Sequence, residues 1–108
     1  MDGFDYQKLA ARTMNMDLTH EERLANAAMG MTGEAGEVCD IIKKHLHQGH
    51  ELNVAKVLDE CGDVMWYIAE MCEACGFTLN QVMEYNVIKL RKRYPEGFSS
   101  EASMNRKE

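Results

Sequence analysis

Proline is nearly absent: Pro95 stands alone in the 108 residues, so no proline interrupts a helix before that point. Sustained alternation of apolar and polar residues is missing and β-branched residues are scattered, which argues against a strand-built domain. No apolar run approaches the ~18 residues of a membrane span. The N-terminus also lacks the basic and apolar regions of a signal peptide, so a cytoplasmic protein is expected. Positive charge is in short supply, with 12 Lys and Arg against 18 Asp and Glu and a net charge of −6. That balance disfavours duplex nucleic acid and anionic membrane as partners. It leaves room for an anionic small molecule, because a bound divalent cation reverses the local sign. Cysteine is limited to Cys39, Cys61, Cys72 and Cys75, all inside helical patterns rather than a loop framework. Cys72-x-x-Cys75 has a zinc or redox spacing, but neither a second pair nor a βαβ pattern accompanies it, and reduced thiols are expected.

What is present reads as one all-α domain over residues 1–98, followed by a polar, mobile tail over 99–108. A hydrophobic fraction of 45% supplies a core and 28% charged residues a polar surface. A short first helix is expected over Phe4–Met14. Thr19-His20-Glu21-Glu22 is a capping box, opening a long helix to His47. Along it Leu24, Ala27, Met31, Ala35, Val38, Ile41 and Ile42 recur at three- and four-residue steps as one apolar stripe. Gln48-Gly49-His50 makes the turn, and a third helix follows over Glu51–Cys75, stopped by Gly76. A second capping box, Thr78-Leu79-Asn80-Gln81, opens a fourth helix that ends at Arg93 before Tyr94-Pro95. The expected fold is therefore a long antiparallel helical hairpin with shorter N- and C-terminal helices. Its bundle is completed by oligomerisation, because so short a chain has too few helices to cover both sides of the hairpin. Met29, Met31, Met65 and Met71 extend the apolar surface beyond one narrow stripe.

Two acidic pairs carry the chemistry. Glu34 and Glu37, like Glu60 and Asp63, are three residues apart and share a helix face. Glu37 lies ten residues before His47 and Glu60 nine after Glu51, so both sit roughly 15 Å from the turn. Four carboxylates can then converge across the hairpin. Glu34 falls between Met31 and Val38, and Glu60 between Val57 and Val64, so neither lies on an ordinary solvated face. Acidic groups gathered there repel one another unless a cation joins them. Oxygen ligands favour magnesium, manganese or calcium over zinc or copper. A di-iron centre needs histidine three residues after glutamate, where this chain has Glu37 and Asp63.

The fourth helix brings the opposite sign. Asn86, Lys89 and Arg93 share a face and Tyr94 follows, a set suited to phosphate oxygens. Gln7, Asn26 and Met29 are candidates for a base pocket by position. Trp66, one turn past Asp63, is placed either in the core or against a base.

Three blocks occur in order: Gly33-Glu-Ala-Gly-Glu37, then Asp59-Glu-Cys-Gly-Asp-Val-Met-Trp-Tyr67, then Asn86-x-x-Lys89-Leu90-x-x-Arg93-Tyr94-Pro95-x-Gly97-Phe98. Together they resemble MazG-like nucleotide pyrophosphohydrolases of the all-α NTP pyrophosphatase superfamily. The resemblance spans about residues 20–98. It implies Mg2+ (with Mn2+ as substitute) on Glu34, Glu37, Glu60 and Asp63, and a triphosphate held by Asn86, Lys89, Arg93 and Tyr94. It further implies hydrolysis between the α and β phosphates to a nucleoside monophosphate and pyrophosphate, with Glu34 as candidate general base. A homo-oligomer is implied as well, a dimer or a tetramer of two dimers with sites near subunit boundaries. The alternative is a non-enzymatic helical interaction module, which leaves the matched heights of the acidic pairs as coincidence.

Overall fold

The computed structural model describes residues 1–106 as five helices, with no strand among them. Helix α1 (Gly3–Ala11) starts from a reciprocal capping box between Asp2 and Asp5. It stops short of the expected Met14, because the Ala10 carbonyl accepts from both the backbone N–H (3.0 Å) and the hydroxyl (2.7 Å) of Thr13. Helix α2 (His20–His47) begins at the Thr19 box and runs the whole expected length. Helix α3 (Val54–Cys75) ends where Gly76 turns left-handed at φ 79°, a conformation that costs glycine little. Helix α4 (Leu79–Arg93) opens at the Thr78 box. Inside the polar tail Ser99 caps a five-residue helix, α5 (Ser100–Met104), an element its composition does not announce. Residues 107–108 of that tail lie outside the described residues.

The hairpin turn departs from expectation in a way that matters for the site. Asn53, not a residue before Glu51, caps α3, its side chain accepting from the Lys56 N–H at 3.1 Å. Residues 51–53 are therefore not helical. Unwound residues rise up to ~3.3 Å each where helical ones rise ~1.5 Å, which leaves room for α3 to stand up to about 5 Å, close to one turn, further along α2 than a helix from Glu51 does.

Helices α2 and α3 pack along each other, and α1 lies on α3 and on the start of α4. The α1 contact centres on Ala10, Met14 and Ala69, with Tyr6, Ala11 and Trp66 around them. Gly30 permits a close approach, since a Cβ there would overlap the Tyr67 ring. Buried Gln7 fixes the corner: its amide nitrogen donates to Glu73 (3.0 Å) and to the Phe77 carbonyl (3.3 Å), and its oxygen accepts from the Leu79 N–H (2.7 Å). Gln7→Ala strands a buried N–H at the start of α4 and should cost roughly 1–3 kcal/mol. A thermal melt checks this, and an unchanged midpoint would deny the corner its structural weight.

This arrangement is open. The Cα radius of gyration is 16.9 Å, against about 13 Å for a compact domain of this length. Accessible surface is 7949 Å2, against about 6,100 Å2 for a compact 12.3 kDa chain. Every residue of α4 from Gln81 to Lys92 is exposed, including Val82, Met83, Tyr85, Val87, Ile88 and Leu90.

Candidate metal centre

Glu34 on α2 and Glu60 and Asp63 on α3 come together, each offering a carboxylate oxygen within 4.8 Å of the others. The shift of the hairpin places Glu60 opposite Glu34, with which it shares a hydrogen bond, rather than opposite Glu37. Glu37 stands one turn nearer the hairpin tip. The Glu60 carboxyl is raised above its usual range, first by that bond, then by burial and by the charges of Glu34, Asp63 and Asp59. Three carboxylates gathered this closely are the oxygen donor set a hard divalent ion takes.

The folded chain keeps the Glu60 proton to a higher pH than the unfolded chain does. Its stability should therefore fall as pH rises from the ordinary carboxylate range through the raised value. In metal-free protein the thermal midpoint should drop across that window, and Glu60→Gln should flatten the drop. Equal slopes in the two proteins would contradict the coupling.

Two unlike pockets flank the cluster. On one side Glu34 and Asp63 share a pocket of about 370 Å3 with Thr13, Trp66 and Tyr67. Here the Trp66 indole donates to the Thr13 hydroxyl at 2.7 Å, and its ring meets Tyr67 edge-on at 5.0 Å. Tyr6 of α1 also faces this side: its phenol is raised by burial and then by the Asp63 charge. On the other side Glu60 and Glu37 line a pocket of about 430 Å3 that carries Lys44, Lys56 and His50. Lys44 is held up chiefly by its 2.9 Å pair with Asp40, with a smaller contribution from Glu37.

The remaining sequence candidates lie elsewhere on the chain. Asn86 and Lys89 line a surface pocket with Phe77, Val82 and Tyr85, and Arg93 lines another with Pro95 and Ser99. Tyr94 packs on Phe98, ring centroids 5.5 Å apart, across the turn where Gly97 takes φ 88°. Asn26 donates to the fully buried Glu70 at 2.7 Å, Met29 is largely exposed, and Gln7 holds the α1–α4 corner. Of the four base-pocket candidates, Trp66 is the one beside the carboxylates. Sequence reasoning overlooked Thr13, Tyr67 and Lys56. Lys56 was legible in principle, standing one turn before Glu60 on the same face.

Residues 22–98 match the model of the MazG nucleotide pyrophosphohydrolase domain. The chain belongs to that family. The Gene 37 protein of Mycobacterium phage L5 is 34% identical over 89 residues, which cover 79% of this chain and 78% of that protein. No solved structure gives a significant match. The matched MazG region takes in both acidic pairs and the basic stretch of α4, while α1 with Tyr6 and Thr13 lies outside it. No helix among the described residues is long and apolar enough to cross a membrane.

Proposed function

We propose that this chain hydrolyses a nucleoside triphosphate between its α and β phosphates in a magnesium-dependent reaction, releasing a nucleoside monophosphate and pyrophosphate. The observation that carries this reading is the position of the carboxylates at the junction of two unlike pockets. The aromatic pocket of Trp66 and Tyr67 suits a nucleoside, and the other pocket, where Lys44, Lys56 and His50 stand among Glu37, Asp40, Glu51 and Glu60, suits a polyphosphate that arrives with a divalent cation. A substrate laid across both puts its first phosphoanhydride bond over Glu34, Glu60 and Asp63.

Glu34, Glu60 and Asp63, with Glu37 from the adjoining turn, would hold Mg2+ or in its place Mn2+. When bound, the ion supplies neutralising charge and Lewis acidity. Glu34, which faces the aromatic pocket, takes the proton of the attacking water. The two pockets fix the α phosphate in line with that water, so positioning supplies much of the rate.

Asn86, Lys89, Arg93 and Tyr94 reach the triphosphate from a second copy of the chain. Exposed apolar residues along α4, an accessible surface well above that of a compact chain and the open shape of the hairpin support assembly into a dimer or a tetramer. Light scattering at micromolar concentration should give at least twice 12.3 kDa, and a monodisperse active monomer would refute this part. Pyrophosphate release from a panel of nucleoside triphosphates, with and without magnesium, tests the reaction itself. Release that is equal in EDTA would sink the metal-dependent reading.

A further inference from the structure

Thr13 lies just past the C-terminal end of α1, outside the residues that carry the family match, yet it forms part of the aromatic pocket. Its hydroxyl has a fixed polarity. The proton goes to the Ala10 carbonyl at 2.7 Å, and one lone pair accepts from the Trp66 indole at 2.7 Å. A hydroxyl has one donor and two lone pairs, so a single acceptor position remains. Trp66 is held from two directions, by packing against Ala10, Met14 and Ala69 and by the bond to Thr13, and it still lines the pocket beside Glu34 and Asp63.

We propose that Thr13 is a positioning and specificity residue for the nucleoside half of the substrate. It locks the Trp66 ring as the wall on which the base stacks, and it offers its remaining lone pair to an N–H or O–H donor of the nucleoside. This rests on the placement of the nucleoside in the aromatic pocket under the proposed function. It goes further in naming an N-terminal residue that selects the nucleoside through one ring and one acceptor. A ligand group facing Thr13 must be a donor, because the hydroxyl proton is already committed.

The chain has one tryptophan, so its emission reports on Trp66 alone. The ordinary ribo- and deoxyribonucleoside monophosphates, added with magnesium, should include some that quench this emission on binding. Magnesium pyrophosphate, which has no base, should leave it unchanged. Thr13→Val should abolish the quench and raise KM for the triphosphate roughly tenfold with kcat little changed, since it leaves the indole N–H unpaired. Thr13→Ser, which keeps the hydroxyl, should restore both. Beyond the loss common to all nucleotides through Trp66, the valine penalty should include an extra part confined to nucleotides carrying one particular donor. Its loss in deoxyribonucleotides assigns that donor to the 2′-hydroxyl, and its loss in uracil but not cytosine nucleotides assigns it to the base amine. A bound monophosphate that leaves emission unchanged overturns the proposal, as does an equal quench by pyrophosphate or a valine variant that behaves as wild type. A penalty uniform across all nucleotides overturns the acceptor role. Quenching without hydrolysis of any triphosphate would defeat the proposed reaction and leave Thr13 standing, whereas hydrolysis with silent Trp66 emission would do the reverse.

Discussion

Glu60→Gln and Asp63→Asn are each expected to remove nearly all pyrophosphate release while leaving the helical far-UV spectrum intact. Both side chains belong to the three that converge across the hairpin, and each substitution keeps shape while removing an anionic ligand. Changes to groups that merely orient metal ligands typically cost about 10–100-fold, so loss of a direct ligand should exceed that range. Glu37→Gln should also lower activity, by less if Glu37 joins the ion from the adjoining turn rather than from the cluster itself. Glu60→Gln removes a carboxyl raised first by its bond to Glu34, then by burial and by neighbouring charge, so the metal-free variant should melt no lower than wild type near neutral pH. Steady-state rates at saturating magnesium, with circular dichroism on the same samples, check both halves. Full activity in the variant carrying all three substitutions would remove the carboxylates from the chemistry.

Lys89→Ala and Arg93→Ala are expected to act on the other end of the substrate. Charge-assisted phosphate contacts should be worth roughly 1.5–3 kcal/mol each, or about 10–100-fold in Kd for a non-hydrolysable triphosphate analogue. Binding of the free nucleoside should hardly change. In one copy of the chain these residues line pockets apart from the carboxylates, so under the proposed assembly they act from a second copy. Mixing Glu60→Gln protein with Lys89→Ala protein should then regain part of the activity, because some mixed sites receive both intact halves. Titration calorimetry and a mixing assay read these effects out. Equal losses for nucleoside and triphosphate, together with no recovery on mixing, would take α4 out of the site.

Much of the fold was legible because its punctuation is local. Thr19 and Thr78 begin helices through capping boxes that can be read from four residues, and Gly76 ends one through a conformation glycine adopts readily. The start of α3 was less legible, since Glu51, Leu52 and Asn53 all suit a helix or its edge and the choice of Asn53 depends on how the turn closes. That three-residue difference carries the register, and with it the pairing of Glu34 rather than Glu37 with Glu60. The acidic pairs were visible as chemistry, but which carboxylates touch was not. Thr13 was hidden for a related reason: it fell within the expected first helix, whereas its hydroxyl and N–H in fact terminate α1 on the Ala10 carbonyl. Lys56 went unremarked in the sequence, and the hairpin places it with Glu60 in the same pocket. The base-pocket candidates failed to converge because nearness in sequence to the carboxylate end says little about direction. Gln7 turns toward the α3–α4 corner and Asn26 toward Glu70.

The central claim is that the carboxylate centre cuts the first phosphoanhydride bond of a nucleoside triphosphate, and phosphorus NMR of a completed reaction tests it most directly. With magnesium and a triphosphate that is turned over, the spectrum should show one nucleoside monophosphate and one pyrophosphate for each substrate consumed, and nothing should change in EDTA. A nucleoside diphosphate with inorganic phosphate, or turnover that persists without a divalent ion, would contradict the account.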